Sequence, residues 1–212
     1  MPIPIKQAIK IGTYVMWQKL KGQERYPLVL MLEPLFRCNL ECIGCGKIQK
    51  PNEILNKNLT LDQCFNAANE CNAPVVSIAG GEPLMHPKIV EIVEGLIKQK
   101  RYIYLCTNAL LLKNFLGKLP ISPYLTLSIH LDGLEEDHDR IVDKKGVFKI
   151  AIESVREAKQ MGYRVTSATT FFEGTTVEQA ETFLDFLNPL GLDGVTLSSA
   201  FRYPDAPDQD HF

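Results

Sequence analysis

The sequence lacks several features that would assign it at once to a class of protein. Its 212 residues contain no apolar run of the ~18 or more residues that a membrane-spanning helix needs. No small-residue cleavage site follows an apolar core at the N-terminus, so there is no sign of a secretory signal. With 23 basic and 25 acidic residues, the charge of -2 gives no reason to expect a nucleic acid partner. We therefore expect a cytoplasmic protein that does not bind nucleic acid.

Low-complexity segments and repeats of fixed length are also missing, and the chain shows instead a repeating order of element types. Apolar, β-branched runs predict six strands, at 28–33, 75–79, 102–107, 125–131, 164–171 and 194–199. Helical spacing of apolar residues lies between them, at 61–70, 87–100, 148–161 and 177–187. This alternation predicts an α/β fold, a partial TIM-like barrel of six parallel strands with crossover helices.

Polar residues cluster where the predicted strands end, which is where such folds carry out chemistry. The second strand ends in AGGEP, the third in LCTN, the fourth in SIHLDG, the fifth in TTFFEG and the sixth in LSSAFRYP. Side chains alternate along a strand. We therefore expect the polar face of the fourth strand, with Ser128, His130 and Asp132, to line the barrel lumen. We expect the same of the matching face of the third strand, with Tyr104, Cys106 and Asn108.

Cysteine is concentrated in one segment, RCNLECIGCG, which directly follows the first predicted strand. Cys38, Cys42 and Cys45 have the spacing C-x3-C-x2-C. Thiolates select zinc or iron–sulfur clusters, and clustering of this kind favours a metal over a disulfide. A zinc or redox dithiol site is one interpretation, although no second cysteine pair is present and the nearest histidine is His86. In the other interpretation, three cysteines hold a four-iron cluster and leave one iron open to a reactant.

The cysteine motif, followed by GGEP at the end of the next strand, resembles the radical S-adenosylmethionine (SAM) superfamily. The resemblance implies that Cys38, Cys42 and Cys45 hold a [4Fe-4S] cluster, and that a donor such as a flavodoxin or ferredoxin reduces it. The open iron would bind SAM, which is cleaved to a 5′-deoxyadenosyl radical. Further residues are expected to contact SAM: Gly80, Gly81, Glu82, Pro83, Asn108, Ser128, His130, Asp132 and Arg140.

The physical properties of these residues agree with that expectation. Glycines let the backbone approach a ligand closely, and Glu82 can accept hydrogen bonds from an ammonium group. Two positions depart from the pattern: Gly44 stands where an aromatic residue commonly contacts adenine, and His130 stands where a serine would align. A structural role, as a core histidine and a solvated arginine, is the alternative for His130 and Arg140.

Longer segments, at 26–51, 73–89, 104–112, 128–139 and 206–212, are similar to the adenosyl-hopene transferase (adenosylhopane synthase) family of hopanoid biosynthesis. Membership would imply that the radical adds to the alkene of a hopene, diploptene, and forms adenosylhopane. Residues 25–212 would be the radical SAM core barrel, with the family's C-terminal extension absent. Two alternatives are a radical SAM enzyme acting on a peptide or another small molecule, and a non-catalytic, truncated cluster-binding remnant.

Radical addition to an alkene leaves a carbon radical that must be reduced. A thiol is a good hydrogen-atom donor because its S–H bond is weak, and Cys106 lies at the end of the third strand, outside the cluster motif. We predict that Cys106 is this donor, and the alternative is a small buried hydrophobe.

Residues 1–24 contain an amphipathic helix, in which isoleucines, Met16, Trp17 and Leu20 are mixed with lysines. Such a helix suits the inner face of the cytoplasmic membrane, where it would give peripheral contact. The alternative is packing that closes the bottom of the barrel.

Overall fold

The computed structural model describes residues 3–201 and 205–207, and its centre is one sheet of six parallel strands in the order β1-β2-β3-β4-β5-β6. The sheet curves into half of a barrel, which confirms the predicted fold class. The strands lie close to their predicted positions, at β1 (Val29–Leu32), β2 (Val75–Ile78), β3 (Tyr102–Thr107), β4 (Leu125–His130), β5 (Arg164–Phe171) and β6 (Gly194–Ser199).

Seven α-helices occur in the described ranges. They are α1 (Ile5–Leu20), α2 (Asn52–Leu55), α3 (Leu61–Cys71), α4 (Ile89–Lys98), α5 (Glu135–Ile141), α6 (Val147–Gln160) and α7 (Val177–Leu187). The sequence analysis missed α2 and α5, because helices of four and seven residues are too short to show an apolar repeat. None of the helices is long and apolar enough to cross a membrane.

Local sequence signals account for the helix boundaries. Thr60 begins α3 with a capping box, in which its hydroxyl accepts from the Gln63 N–H and the Gln63 side chain accepts from the Thr60 N–H. At the end of α6, the chain turns at Gly162, whose φ of +89° favours glycine.

The hydrophobic core lies between the convex face of the sheet and the helices. On β4 the side chains of Leu125, Leu127 and Ile129 are in this core, and the polar side chains of the strand alternate onto the concave face. The prediction that the fourth strand has one apolar face and one polar face is therefore confirmed. Two segments that the sequence analysis used lie outside the described residues. They are residues 202–204, which follow the sixth predicted strand, and residues 208–212.

Helix α1 crosses the amino ends of the strands. The Gln7 side chain donates to the Tyr104 hydroxyl at 3.2 Å, and Lys10 donates to the carbonyl of Lys100, just before β3. The cysteine loop follows the carboxyl end of β1, so α1 closes the end of the barrel opposite to it.

Candidate functional site

The cysteine loop is an irregular segment held in place by its neighbours. A turn joins the Cys45 N–H to the Cys42 carbonyl at 3.0 Å, and the Ile43 N–H donates to the carbonyl of Ile141, the last residue of α5, also at 3.0 Å. Cys38 and Cys42 pack against a small apolar cluster beside the main core, formed by Leu40, Val142 and Val147. The loop is thus fixed at both its first and second cysteines, and all three thiols are free and partly exposed.

The two glycines of the GGEP motif bring β2 against the start of this loop. The Gly81 N–H donates to the Leu35 carbonyl at 3.0 Å, and the Glu82 N–H donates to the Arg37 carbonyl at 2.8 Å. A Cβ on Gly81 would lie 1.9 Å from the Arg37 oxygen, and one on Gly80, whose φ is +106°, would lie 2.2 Å from the Leu35 oxygen. The glycines are therefore required by a close approach to the protein's own backbone, and their predicted contact with SAM stays a prediction.

The Glu82 carboxylate lies inside the protein, where it joins β2 to β3. It is 1% exposed and accepts from the Thr107 hydroxyl at 2.7 Å, the Leu84 N–H at 3.0 Å and the Asn108 N–H at 2.9 Å. Burial raises the pKa of Glu82, and these three donors partly offset the rise. A carboxylate has about four acceptor positions, so one is left for the amino group of SAM. That predicted contact stays a prediction.

Asn108 continues this network to the cysteine loop. Its side-chain oxygen accepts from the Leu110 N–H at 3.1 Å, which fixes the orientation of the amide. The side-chain nitrogen then donates to Asn39 Oδ1 at 2.8 Å and to the Cys38 sulfur at 3.8 Å. The residue that we expected to touch SAM is thus placed against a cluster cysteine.

A second polar network follows β4. Asp132, which is buried, pairs with the His130 ring at 2.5 Å and accepts from the Thr170 N–H at 2.7 Å. Burial alone would lower the pKa of His130, but the Asp132 carboxylate raises it on balance. The Asp132 N–H donates to the ring of His138, whose pKa burial lowers to about 4. The site therefore combines a neutral, buried His138 with a His130 ring that is hydrogen-bonded to Asp132.

The second network and the cysteine loop border a cavity of about 350 Å³. Cys42 and Cys45 are on one side, and His130 and Asp132 are on another. The remaining walls come from the cysteine loop and from the ends of α5, β5 and β6, with the members Gly44, Gly46, Lys47, Ile141, Thr170, Phe172, Ser198, Ser199, Ala200 and Phe201. The cavity is thus bordered by two cluster cysteines and by the polar end of β4.

Cys106 and Ser128 lie deeper, on neighbouring strands in one register position of the concave face. The Cys106 sulfur is 3.6 Å from the Ser77 hydroxyl on β2. Burial raises the pKa of Cys106, which keeps it a thiol at neutral pH. Cys106 therefore faces the barrel lumen in the structure, as the sequence analysis predicted.

Arg140 lies beside this cavity. Its side chain is 58% exposed, donates to Asp137 of the same short helix at 3.2 Å, and lines a cleft of about 440 Å³ that shares Asp132 and Thr170 with the cavity. The predicted contact of Arg140 with SAM stays a prediction. Pro83 is buried at the start of a single 3-10 turn after Glu82.

The sequence analysis missed Thr107 and Asn39, which anchor Glu82 and Asn108, and the cavity residues Thr170 and Phe172. Thr107 directly precedes Asn108 at a strand end, so its position was a usable signal. The others lie in segments that the sequence analysis singled out, RCNLECIGCG and TTFFEG, but their partners are far apart in the chain, so their individual roles were not marked.

Cysteines bind a zinc ion or an iron–sulfur cluster as thiolates. In residues 3–201 and 205–207, no group of three or more Cys, His, Asp or Glu side chains is placed to hold a single metal ion. Burial raises the pKa of Cys38 to about 11 and that of Cys42 to about 12, so cluster binding must displace protons.

Three cysteines beside a cavity at the carboxyl ends of a parallel half-barrel define an enzyme class in which an iron–sulfur cluster works on a bound reactant. The radical SAM superfamily model matches residues 32–187, and the chain belongs to that superfamily. It is a radical SAM enzyme whose cofactors are a [4Fe-4S] cluster and SAM.

Proteins with similar sequences are named for another reaction. A GTP 3′,8-cyclase of Petrotoga mobilis is 28% identical over 156 residues, which are 70% of this chain and 48% of the relative. One from Clostridium perfringens is 27% identical over 158 residues, 72% of this chain and 48% of the relative. The chain therefore spans about half the length of the curated relatives it matches. Neither of these two relatives is named as a hopanoid enzyme, and the adenosyl-hopene transferase resemblance is not confirmed.

Solved structures share the fold. Streptococcus suis SuiB bound to S-adenosylmethionine superposes with a TM-score of 0.76 at 19% identity, covering 93% of this chain and 46% of SuiB. Methylornithine synthase gives a TM-score of 0.66 at 16% identity, covering 99% of this chain and 64% of that protein.

Gly81→Ala is expected to disturb the cluster loop without unfolding the barrel. The new Cβ would meet the Arg37 carbonyl, so the backbone entering Cys38 must move, at a cost of about 1–3 kcal/mol of stability. Iron and sulfide content after reconstitution should fall by about half or more, with unchanged far-UV circular dichroism. Gly12→Ala, where a Cβ meets nothing within 4 Å, is the control. Full cluster loading in Gly81→Ala would contradict the prediction.

Asn108→Leu is expected to lower the reduction potential of the cluster. Hydrogen bonds to cluster sulfurs stabilise the more negative, reduced state, and leucine has a similar size but no donor. At the wild-type midpoint, the ratio of reduced to oxidised cluster should fall about three- to tenfold in a titration followed by electron paramagnetic resonance. Asn66→Leu makes the same change at an exposed position on α3, away from the cysteine loop, and serves as the control. Equal potentials for Asn108→Leu and wild type would show that the contact does not tune the cluster.

Proposed function

We propose that this radical SAM enzyme adds a 5′-deoxyadenosyl radical to the alkene of a hopene, diploptene, and forms adenosylhopane. The sequence resemblance suggests the reaction, and the exposed apolar side chains of Val29 and Met31 on the concave face are the observation that carries the choice of substrate. A substrate dissolved in lipid would place the protein at the inner face of the cytoplasmic membrane.

The concave face offers apolar and neutral groups to a substrate. Leu30 and Leu32 belong to the core side of β1, so Val29 and Met31 point to the concave side, where they are 48% and 59% exposed. Across the sheet, Met31 is in register with Ser77, and Ser77 is in register with Tyr104. A polycyclic hydrocarbon can bury its apolar area against such a surface, at about 25 cal/mol per Å².

The second candidate is a nucleotide substrate, because the relatives from Petrotoga mobilis and Clostridium perfringens are named GTP 3′,8-cyclases. A triphosphate calls for several cations that are free to pair with it. Among the described cavity residues, Lys47 is already paired with Glu33, and His130 is paired with Asp132. The neutralised lining favours the uncharged substrate over the nucleotide.

When bound, the cluster and SAM supply the deoxyadenosyl radical. Cys38, Cys42 and Cys45 would hold the cluster, and the free acceptor position of Glu82 suits the amino group of SAM. Radical addition forms a carbon–carbon bond and leaves one unpaired electron on the substrate.

Cys106 would end the reaction. Its thiol transfers a hydrogen atom to the substrate carbon, which forms a C–H bond and leaves a sulfur radical. One electron from a reducing protein such as a flavodoxin or ferredoxin, with one proton from solvent, restores the thiol. The raised pKa suits this role, because only the protonated thiol has a hydrogen atom to transfer.

The reaction is tested anaerobically with reconstituted, reduced protein, SAM and either diploptene or GTP, analysed by mass spectrometry. Adenosylhopane is the expected product. 5′-Deoxyadenosine without an adduct would reject the hopene and direct attention to a peptide or another small molecule, and a cyclised GTP would establish the second candidate. Neither product from cluster-loaded protein would support the non-catalytic alternative.

Cys106→Ala is expected to lose the saturated adduct or its stereochemistry while 5′-deoxyadenosine is still formed, because the substrate radical has no donor. In D₂O, the wild-type product should carry one deuterium on the carbon that was reduced, since the thiol exchanges with solvent. Cys71→Ala, at the end of α3, is the matched control. An unchanged yield and an unchanged stereochemistry in Cys106→Ala would reject the donor role.

A further inference from the structure

Helix α1 has its apolar side chains on the outside. The one fully buried side chain of the helix is that of Gln7. On the opposite side, Ile5, Ile9, Met16, Trp17 and Leu20 are 57–77% exposed. We call these five residues the α1 outer face. A surface helix normally turns its apolar residues to the core, so this orientation needs a cause.

The contacts beneath α1 show that the inward face is specifically polar and aromatic. The Lys10 ammonium lies 5.7 Å from the ring centre of Tyr102 and 5.9 Å from that of Tyr124. Farther along, the Tyr14 and Tyr26 rings meet edge to face at 6.0 Å. With the Gln7 bond to Tyr104, these contacts fix which side of the helix faces outward. The α1 outer face is therefore left uncovered by the described residues.

The charges around the α1 outer face have one sign. Lys6, Lys19 and Lys21 accompany the apolar residues, and no Asp or Glu occurs from residue 3 to residue 23. Two copies meeting through this face would bring lysines together without carboxylates to pair with them. An apolar stripe with cationic flanks is complementary to anionic lipid, where apolar side chains enter the headgroup boundary and each lysine gains about 1 kcal/mol.

We propose that the α1 outer face binds the surface of an anionic lipid bilayer, with the helix lying in the plane of the interface. The amino ends of the strands then face the membrane, and the cysteine loop and its cavity face away from it. The helix attaches the enzyme to a membrane without directing the cavity into it. The proposal rests on α1 alone and stands whether or not the substrate is a hopene.

Trp17 makes the test direct, because it is the one tryptophan in the chain and is part of the α1 outer face. Full-length protein is mixed with vesicles of phosphatidylcholine, with and without phosphatidylglycerol. We expect co-sedimentation and a blue shift of tryptophan emission with the anionic vesicles, and both should weaken as salt is added.

The double variant Ile9→Ser/Met16→Ser keeps Trp17 and should bind anionic vesicles about tenfold or more weakly, since two inserted apolar side chains are lost. Both residues point outward, so the fold is preserved, and circular dichroism checks this. Val177→Ser is the matched control, because Val177 is 69% exposed on α7 and outside the α1 outer face. It should bind as the wild type does.

Two results would overturn the proposal. One is the absence of vesicle binding, or binding without a tryptophan shift. The other is a concentration-dependent dimer, seen by light scattering, that Ile9→Ser/Met16→Ser abolishes, which would assign the face to a second copy of the chain.

Discussion

The arrangement of the site depends on one buried carboxylate. Glu82 accepts three hydrogen bonds from β3 and from the turn that follows β2, while its own N–H is bonded to the residue before the first cysteine. A buried carboxylate is costly unless it is fully bonded, so these partners are held in one geometry. Through Asn108 the same network reaches Cys38. The glycines before Glu82 make this possible, since any side chain there would separate β2 from the cysteine loop.

The two ends of the half-barrel have separate roles. At the carboxyl ends of the strands, the cysteine loop and the His130–Asp132 pair border a cavity. At the amino ends, α1 closes the barrel with a polar and aromatic face and leaves its apolar residues outside. The cavity and the exposed apolar residues of α1 therefore lie at opposite ends of the strands, and a change at one end need not disturb the other.

Membership of the radical SAM superfamily and choice of substrate rest on different kinds of observation. Membership follows from the family match over residues 32–187, which include the three cysteines of the C-x3-C-x2-C motif. The substrate depends on the concave face, where Val29 and Met31 are apolar and nearby cations are paired. The relative named GTP 3′,8-cyclase is similar to this chain in the region that shows superfamily membership, and the chain spans only about half of its length.

The sequence alone determined the order of the six strands and the longer helices, because apolar periodicity and capping residues such as Thr60 act over a few positions. It also determined the cysteine spacing, from which the cluster was inferred, and the lumen position of Cys106, which follows from strand alternation. Only the tertiary structure decided which partners these residues meet. It turned Glu82 inward, set Asn108 against Cys38, paired Arg140 with Asp137 and exposed the apolar side of α1. Apart from the Arg140 pair, those outcomes depend on contacts between residues far apart in the chain, and no local pattern records them.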